Sequence, residues 1–336
     1  MRNSFVAALA VLGAIAVTSA RADEPIQLKF ANAVPPQALL NTQGLYPWVE
    51  EVNKEAGGAF EIKTFPGPGL ANLANAYDRT TNGVTEIAWG IFGPISSQFP
   101  KTSVYSLPFE TKTGTEAAIG LWRLFANGIV SDEFAKVHLL GLAPFPGIYL
   151  HTKKQIRTMA DLQGVKLGLD GRVISRTIEN LGGTPVAIPI SDFYPSLSRG
   201  TIDGSAGAWS GVLTFKLFEV TSHHLEVALG NDAGYVVMNK DAYDRLPQSA
   251  KSVLDRNTGE VLTKRLVKAV DNSNAFARGK VAAEPGQTIS QLSPDEEARW
   301  VAKVAPVIDE WAKSVPDGAK VLAAFRAEIR KIRAGM

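Results

Sequence analysis

Apolar positions along the chain switch between two periods, and the switches mark out elements. Gln27-Leu-Lys-Phe-Ala31 alternates and predicts a strand. Residues 45–56 carry helical spacing and stop at Gly57-Gly58, as glycine stops helices. Residues 60–65 form a second strand, broken by Pro66-Gly-Pro-Gly69. A helix over 71–82 closing at Gly83 and a strand over 86–89 follow, then a helix over 115–127 and a strand over 137–142. After an extended run over 147–152, residues 165–188 read as a complete βαβ unit, strand, glycine turn, helix and second strand. A helix over 192–198, a short strand or turn over 203–207 and a strand over 235–239 come next. Residues 248–280 then read as one nearly unbroken helix and 294–314 as another. Strands alternating with helices predict mainly parallel α/β sheets. This number of units predicts two α/β lobes, with the chain crossing between them near residues 147 and 235.

The first residues break this pattern. Met1-Arg-Asn-Ser is a short positive start, residues 5–17 are almost wholly apolar, and Ala20-Arg-Ala22 has the spacing of a cleavage site. A bilayer span needs roughly 20 apolar residues, so residues 1–22 are expected to be an export signal peptide rather than an anchor. The whole chain has 336 residues, 45% of them hydrophobic, with 35 Lys and Arg against 33 Asp and Glu. Losing Arg2 and Arg21 with the signal brings the mature balance to zero. That speaks against a nucleic-acid partner, which needs a basic field. With no cysteine, disulfides, thiolates and zinc–thiolate sites are excluded.

Three chemistries were open. For a nucleotide, Gly67-Pro-Gly69-Leu-Ala-Asn72 approaches the dinucleotide fingerprint, but Asn72 stands where the third glycine lets helix and strand pack closely. For a hydrolase, Ser210 lies in Gly207-Ala-Trp-Ser-Gly211, without the spacing of a nucleophile elbow. His223 and His224 are neighbours, which on a helix diverge by about 100° and cannot chelate one ion. No enzyme activity, cofactor or metal is expected. The third is a ligand cleft. Arg172 stands where the glycine turn enters a helix, so its guanidinium and the free N–H groups there could converge on a carboxylate. Trp89 and Trp209 each end a short strand, where α/β sheets place their crevices, and both have small neighbours.

Short segments along the mature chain resemble the solute-binding subunits of TRAP transporters, the DctP-type receptors. They include Leu28-Lys-Phe-Ala31, Phe65-Pro-Gly67, Glu86-Ile-Ala-Trp-Gly90, Leu107-Pro-Phe109 and His151-Thr-Lys-Lys154. Asp161-Leu-Gln-Gly-Val-Lys166, Leu181-Gly-Gly-Thr-Pro-Val186, Tyr194-Pro-Ser-Leu-Ser-Arg-Gly200, Ile202-Asp-Gly204 and Met238-Asn-Lys240 continue the series in order. The resemblance implies a two-lobe periplasmic binding protein of type II-like α/β fold, with a cleft between the lobes and a long hinge helix. It also implies a periplasmic receptor that hands a small organic acid to TRAP membrane subunits. An ABC-type receptor, a ligand-sensing subunit and a periplasmic hydrolase are the alternatives. The expected division is signal 1–22, lobe I 23–146 plus 235–275, and lobe II with the C-terminal helices 147–234 plus 276–336.

Two positions depart from the family. Its strand after Asp-Leu-x-Gly usually carries an arginine that clamps the ligand carboxylate, and here that position is Gly168. Arg172, four residues on, is expected to take over the clamp, with Gly168 leaving extra room. The return segment Leu229-Gly-Asn-Asp-Ala-Gly-Tyr235 is shorter than the family's and offers Asn231 as a wall contact. With Trp89, Phe92, Phe145, Phe193 and Trp209 as cleft aromatics, the expected ligand is an apolar or aromatic monocarboxylate.

Overall fold

A computed structural model describes residues 24–336, so the expected signal peptide lies outside the described residues. Lobe I begins with β1 (Ile26–Asn32), α1 (Tyr46–Ala56), β2 (Phe60–Pro66), α2 (Ala76–Thr81), β3 (Ile87–Ile91), α3 (Gly114–Ala126) and β4 (Val137–Pro146). The chain then enters lobe II through β5 (Tyr149–Thr152), β6 (Lys166–Leu169), α4 (Arg172–Asn180), β7 (Thr184–Ala187), α5 (Phe193–Arg199), β8 (Gly204–Gly207), α6 (Trp209–Thr214) and β9 (His223–Glu226). It returns on β10 (Asn231–Asn239) and continues as α7 (Lys240–Asp244), α8 (Gln248–Asn257), α9 (Glu260–Ala283), β11 (Thr288–Gln291), α10 (Pro294–Ser314) and α11 (Gly318–Arg333).

Two sheets result, ordered β2-β1-β3-β10-β4 in lobe I and β11-β9-β5-β8-β6-β7 in lobe II. The βα units pair in parallel as their alternation predicts. The sheets are nevertheless mixed, because the chain changes lobe. β4 leaves lobe I, β10 comes back beside it, and the two pair antiparallel from Asn239 against Val137 to Asn231 against Pro146. The return therefore joins the lobe I sheet at Asn231, four residues ahead of the strand start read at 235. Ile148 N–H donates to Gly230 C=O at 3.0 Å, tying the two crossings together at the lobe boundary.

The 248–280 segment is two helices, not one. Gly259 has φ +72°, a left-handed conformation that glycine adopts freely, and the chain restarts from it as α9. Along α9, Leu262, Leu266 and Val270 join the core of lobe I, and Ala277 and Val281 join that of lobe II. One 24-residue helix thus belongs to both lobes and forms the hinge backing. The C-terminal helices divide as well. α10 packs on α4 of lobe II, while α11 packs on α3 of lobe I. Gly120 in α3 makes the second contact close, since an added Cβ would stand 3.0 Å from the Phe325 ring. A glycine inside a helix costs about 1 kcal/mol against alanine; here it admits a fully buried aromatic.

Candidate functional site

The lobes meet at two turns. Gly93, just after β3, faces Asp170, just after β6: a Cβ on Gly93 would stand 3.1 Å from the Asp170 Cβ and Cγ. Gly171 lies 3.9 Å from Gly93 Cα, measured from its own virtual Cβ, and has φ +108°. Only glycine holds that conformation cheaply, and it lets α4 start directly at the lobe boundary.

Around this contact the cleft forms two chambers. The smaller, about 130 Å³, has Trp89 and Phe145 of lobe I on one side and Phe193 and Ala206 to Ala208 of lobe II on the other. Ser273 and Val270 of the hinge helix close its back. Trp89 and Phe145 meet edge to face, 6.2 Å between centroids. An apolar cavity of roughly 150 Å³ accepts a benzene ring, so this chamber is sized for a single aromatic group. The larger chamber, about 560 Å³, is lined by Gly93, Tyr105, Arg172, Asn231 and the Trp311 end of α10. Ile148, Asp170, Ile174 and Asp232 line both, so they form the shared wall.

The expected site residues divide accordingly. Trp89, Phe145 and Phe193 come together in the aromatic chamber. Arg172 faces the neighbouring chamber, exposed at the first residue of α4. Arg176, one turn on, is held by Glu179 at 2.9 Å and Glu310 at 3.4 Å, whereas Arg172 has no such ion pair among the described residues. Asn231 lines the same chamber, but its amide N–H groups donate to Tyr105 C=O at 2.9 Å and Thr111 Oγ1 at 2.6 Å. It holds the wall together.

Phe92 and Trp209 line neither chamber. Phe92 is 1% exposed, packed among Phe99, Tyr105, Phe134 and Tyr235 in the core below. Trp209 is 2% exposed; its indole N–H donates to Glu226 at 3.0 Å and its ring lies against His151 and His224. Gly168 leaves no extra room either. A Cβ there would stand 2.8 Å from Ile202 Cδ1 and 3.2 Å from the Phe193 ring, so these apolar side chains occupy the place beside it.

The residues that sequence reasoning missed are the two acids of the shared wall. Burial pushes the Asp170 carboxyl up to about 6, against the lowering effect of the Gly171 N–H. Burial pushes Asp232 up to about 7, opposed by the Ala233 N–H and reinforced by the charge of Asp170. Neither has an ion-pair partner among the described residues, and no Lys or Arg lines the aromatic chamber. The turn before α4 thus carries its own carboxylate where a ligand anion was expected. The clue was the acid inside the glycine turn itself, Leu169-Asp-Gly171.

No metal site competes with this cleft: among the described residues no cluster of three His, Asp or Glu could hold an ion. His223 and His224 lie on β9 rather than on a helix, and neighbours on a strand point to opposite faces. His224 instead meets His151, Nδ1 to Nδ1 at 2.8 Å, and burial with the neighbouring ring pushes His151 down to about 3.

Two α/β lobes closing on a cavity at crossing strands define a solute-binding receptor. The chain belongs to the bacterial extracellular solute-binding protein family 7, DctP, whose family model matches residues 30–314. It is similar to a TRAP solute-binding protein from Rhodoferax ferrireducens solved with copurified benzoate: 30% identity, 91% of this chain and 98% of that one, TM-score 0.85. A marine metagenome TRAP solute-binding protein specific for aromatic acid ligands, crystallised with 3-hydroxybenzoate, matches at 29% identity over 92% and 99%, TM-score 0.87. The C4-dicarboxylate-binding periplasmic protein DctP of Rhodobacter capsulatus is 26% identical over 318 residues, 90% of this chain and 91% of its own.

Proposed function

We propose that this protein is a periplasmic receptor that binds an aromatic monocarboxylate and delivers it to the membrane subunits of a TRAP transporter. The observation that carries the ligand class is the aromatic chamber: sized for one ring, walled by Trp89, Phe145 and Phe193, and without a cation. A dicarboxylate needs a positive partner at each end, because burying an unpaired carboxylate is costly. Arg172 lines the adjoining chamber two residues after Asp170 and has no ion pair among the described residues; Lys313, on α10, lines that chamber too. In this reading Arg172 clamps the carboxylate while the ring enters the aromatic chamber. The relatives solved with benzoate and 3-hydroxybenzoate support the class. The role is capture and release: the closed form makes contacts from both lobes at once, so ligand shifts the balance toward closure.

A thermal-shift screen of the purified protein tests this, since a ligand that binds only the folded state raises the midpoint by mass action. Benzoate and its ring-substituted analogues are expected to raise it and succinate to leave it unmoved. A shift with succinate alone would overturn the ligand class.

A further inference from the structure

Behind Gly207 of the aromatic chamber two histidines meet inside the lobe II sheet. His151 on β5 and His224 on β9 are directly opposed in the antiparallel pair, and both are fully buried. Their Nδ1 atoms stand 2.8 Å apart. The outer nitrogens are engaged as well: His151 Nε2 lies 3.1 Å from Gly207 C=O, and His224 Nε2 lies 2.7 Å from Gln287 Oε1. A carbonyl oxygen only accepts, so each of these contacts needs a proton on Nε2. The Gln287 amide cannot turn round to supply one, because its own N–H donates to Phe218 C=O at 2.9 Å. Three contacts therefore need three protons, whereas two neutral imidazoles carry two.

We infer, on the reading that this chamber holds the ligand's ring, that His151 and His224 take up a shared third proton and with it position the Gly207 carbonyl of the chamber wall. In the singly charged pair all three contacts are hydrogen bonds: both Nε2–H groups donate outward and one Nδ1–H donates across. In the neutral pair one contact must set two lone pairs against each other. The Gly207 contact, the longest of the three, is the one given up: His151 then donates from Nδ1 to His224 and turns a bare Nε2 to the wall. Gly207 lines the chamber, and Trp209, two residues on, rests its ring against both imidazoles at 5.0 and 4.9 Å. Charging the pair thus fixes the wall from behind and places a positive charge beneath a chamber that no Lys or Arg lines. Both effects favour a bound carboxylate. The pair takes one proton and not two, because burial and the charge of the His224 ring push His151 down to about 3. Burial also lowers His224, with His223 acting the same way, against the Gln287 hydrogen bond and the charge of Glu226. Glu226 in turn accepts from Trp209 Nε1 and pairs with Arg278 of α9. Tyr149, opposite Gly207 in the sheet, is the remaining titratable neighbour, and burial raises it.

Two measurements test this. Nitrogen NMR of the unliganded protein, with isotope-labelled histidine, reports which ring nitrogens carry protons. At about pH 7.5 His151 should carry its proton on Nδ1 and His224 on Nε2; at about pH 5 both Nε2 atoms should be protonated, with one further proton between the Nδ1 atoms. Unchanged tautomers across that range, with one proton on each ring, would overturn the inference. The second measurement is the affinity for benzoate by titration calorimetry at the same two pH values. Asp170 and Asp232 titrate in the chamber wall too, so wild type is read against His151→Leu, which keeps both acids. The ratio of wild-type to variant affinity should rise about 2- to 12-fold on acidification, the range of one net hydrogen bond. A ratio that stays level or falls would overturn the role of the pair in binding. If the leucine variant does not fold, wild-type spectra with and without benzoate carry the test. Ligand should move the tautomer change to higher pH, since the coupling is reciprocal, and an unmoved change would overturn it. Benzoate binding at neither pH overturns the aromatic-acid reading and the link to affinity with it, while the spectra still decide the shared proton.

Discussion

Closure of the lobes turns on a residue without a side chain. Replacing Gly93 by alanine would put a methyl 3.1 Å from the Asp170 Cβ and Cγ and 3.5 Å from its carbonyl carbon. Carbon atoms rest at about 3.5–4.0 Å, so the overlap approaches half an ångström, and it falls on a turn rather than on the end of a flexible chain. Overpacking of this kind costs about 1–3 kcal/mol. The two partners belong to different lobes, so the cost falls on the closed form and is absent once the lobes part. Gly93 does not have a left-handed φ, so alanine brings no backbone strain of its own. Affinity for an aromatic acid should therefore fall about 5- to 150-fold, while the unliganded midpoint changes little. Gly69→Ala is the matched control, since an added Cβ there meets nothing within 4 Å. Titration calorimetry measures the first effect and thermal denaturation the second. Wild-type affinity in Gly93→Ala would refute the view that the Gly93–Asp170 contact belongs to the ligand-bound state.

Three further outcomes follow from the same geometry. Arg172→Ala should weaken aromatic acids by about 10- to 100-fold, as the loss of a charged hydrogen bond does, and leave stability unchanged, because the side chain is exposed. Phe145→Ala removes an edge-to-face partner of Trp89 and one wall of the chamber; affinity read by fluorescence titration should drop about tenfold. The third concerns pH. The folded value of Asp232, about 7, lies above its ordinary value of 3.8, so the folded chain keeps a proton that the unfolded chain has already released. Its contribution to stability is therefore present at low pH and lost as pH rises toward 7. Buried His151 is shifted the opposite way, so wild type must be compared with Asp232→Asn: the difference in midpoint, wild type minus variant, should fall between about pH 4 and 7. A difference that is flat with pH, or that rises, would show that Asp232 ionises as an ordinary carboxylate.

Much of the fold is legible in the chain because its βα units announce themselves locally. The unit at 165–188 is recovered as β6, α4 and β7, since a period switch on either side of a glycine turn has few other solutions. The helix over 294–314 likewise matches α10, with Pro at its first position and Ser293 capping it. Where reading failed, a longer-range or side-chain effect decided. The helix expected over 71–82 starts only at Ala76, because Asn72 and Asn75 bond the backbone N–H groups of each other's segment and hold a loop. Mixed sheets were not legible because pairing of β4 with β10 joins residues far apart in sequence. At the site, an aromatic beside small residues does not reveal which face it presents. Trp89 turns to the cleft and Phe92, three residues on, turns to the core. The two acids went unnoticed for a related reason: only the approach of the lobes brings Asp170 and Asp232 to one wall.

The most direct measurement is a calorimetric titration of the purified protein with benzoate, repeated in the presence of excess succinate. One benzoate per chain, with an affinity that succinate does not change, is the result expected of an aromatic chamber that no Lys or Arg lines. Displacement of benzoate by succinate, or heat from succinate where benzoate gives none, would contradict it.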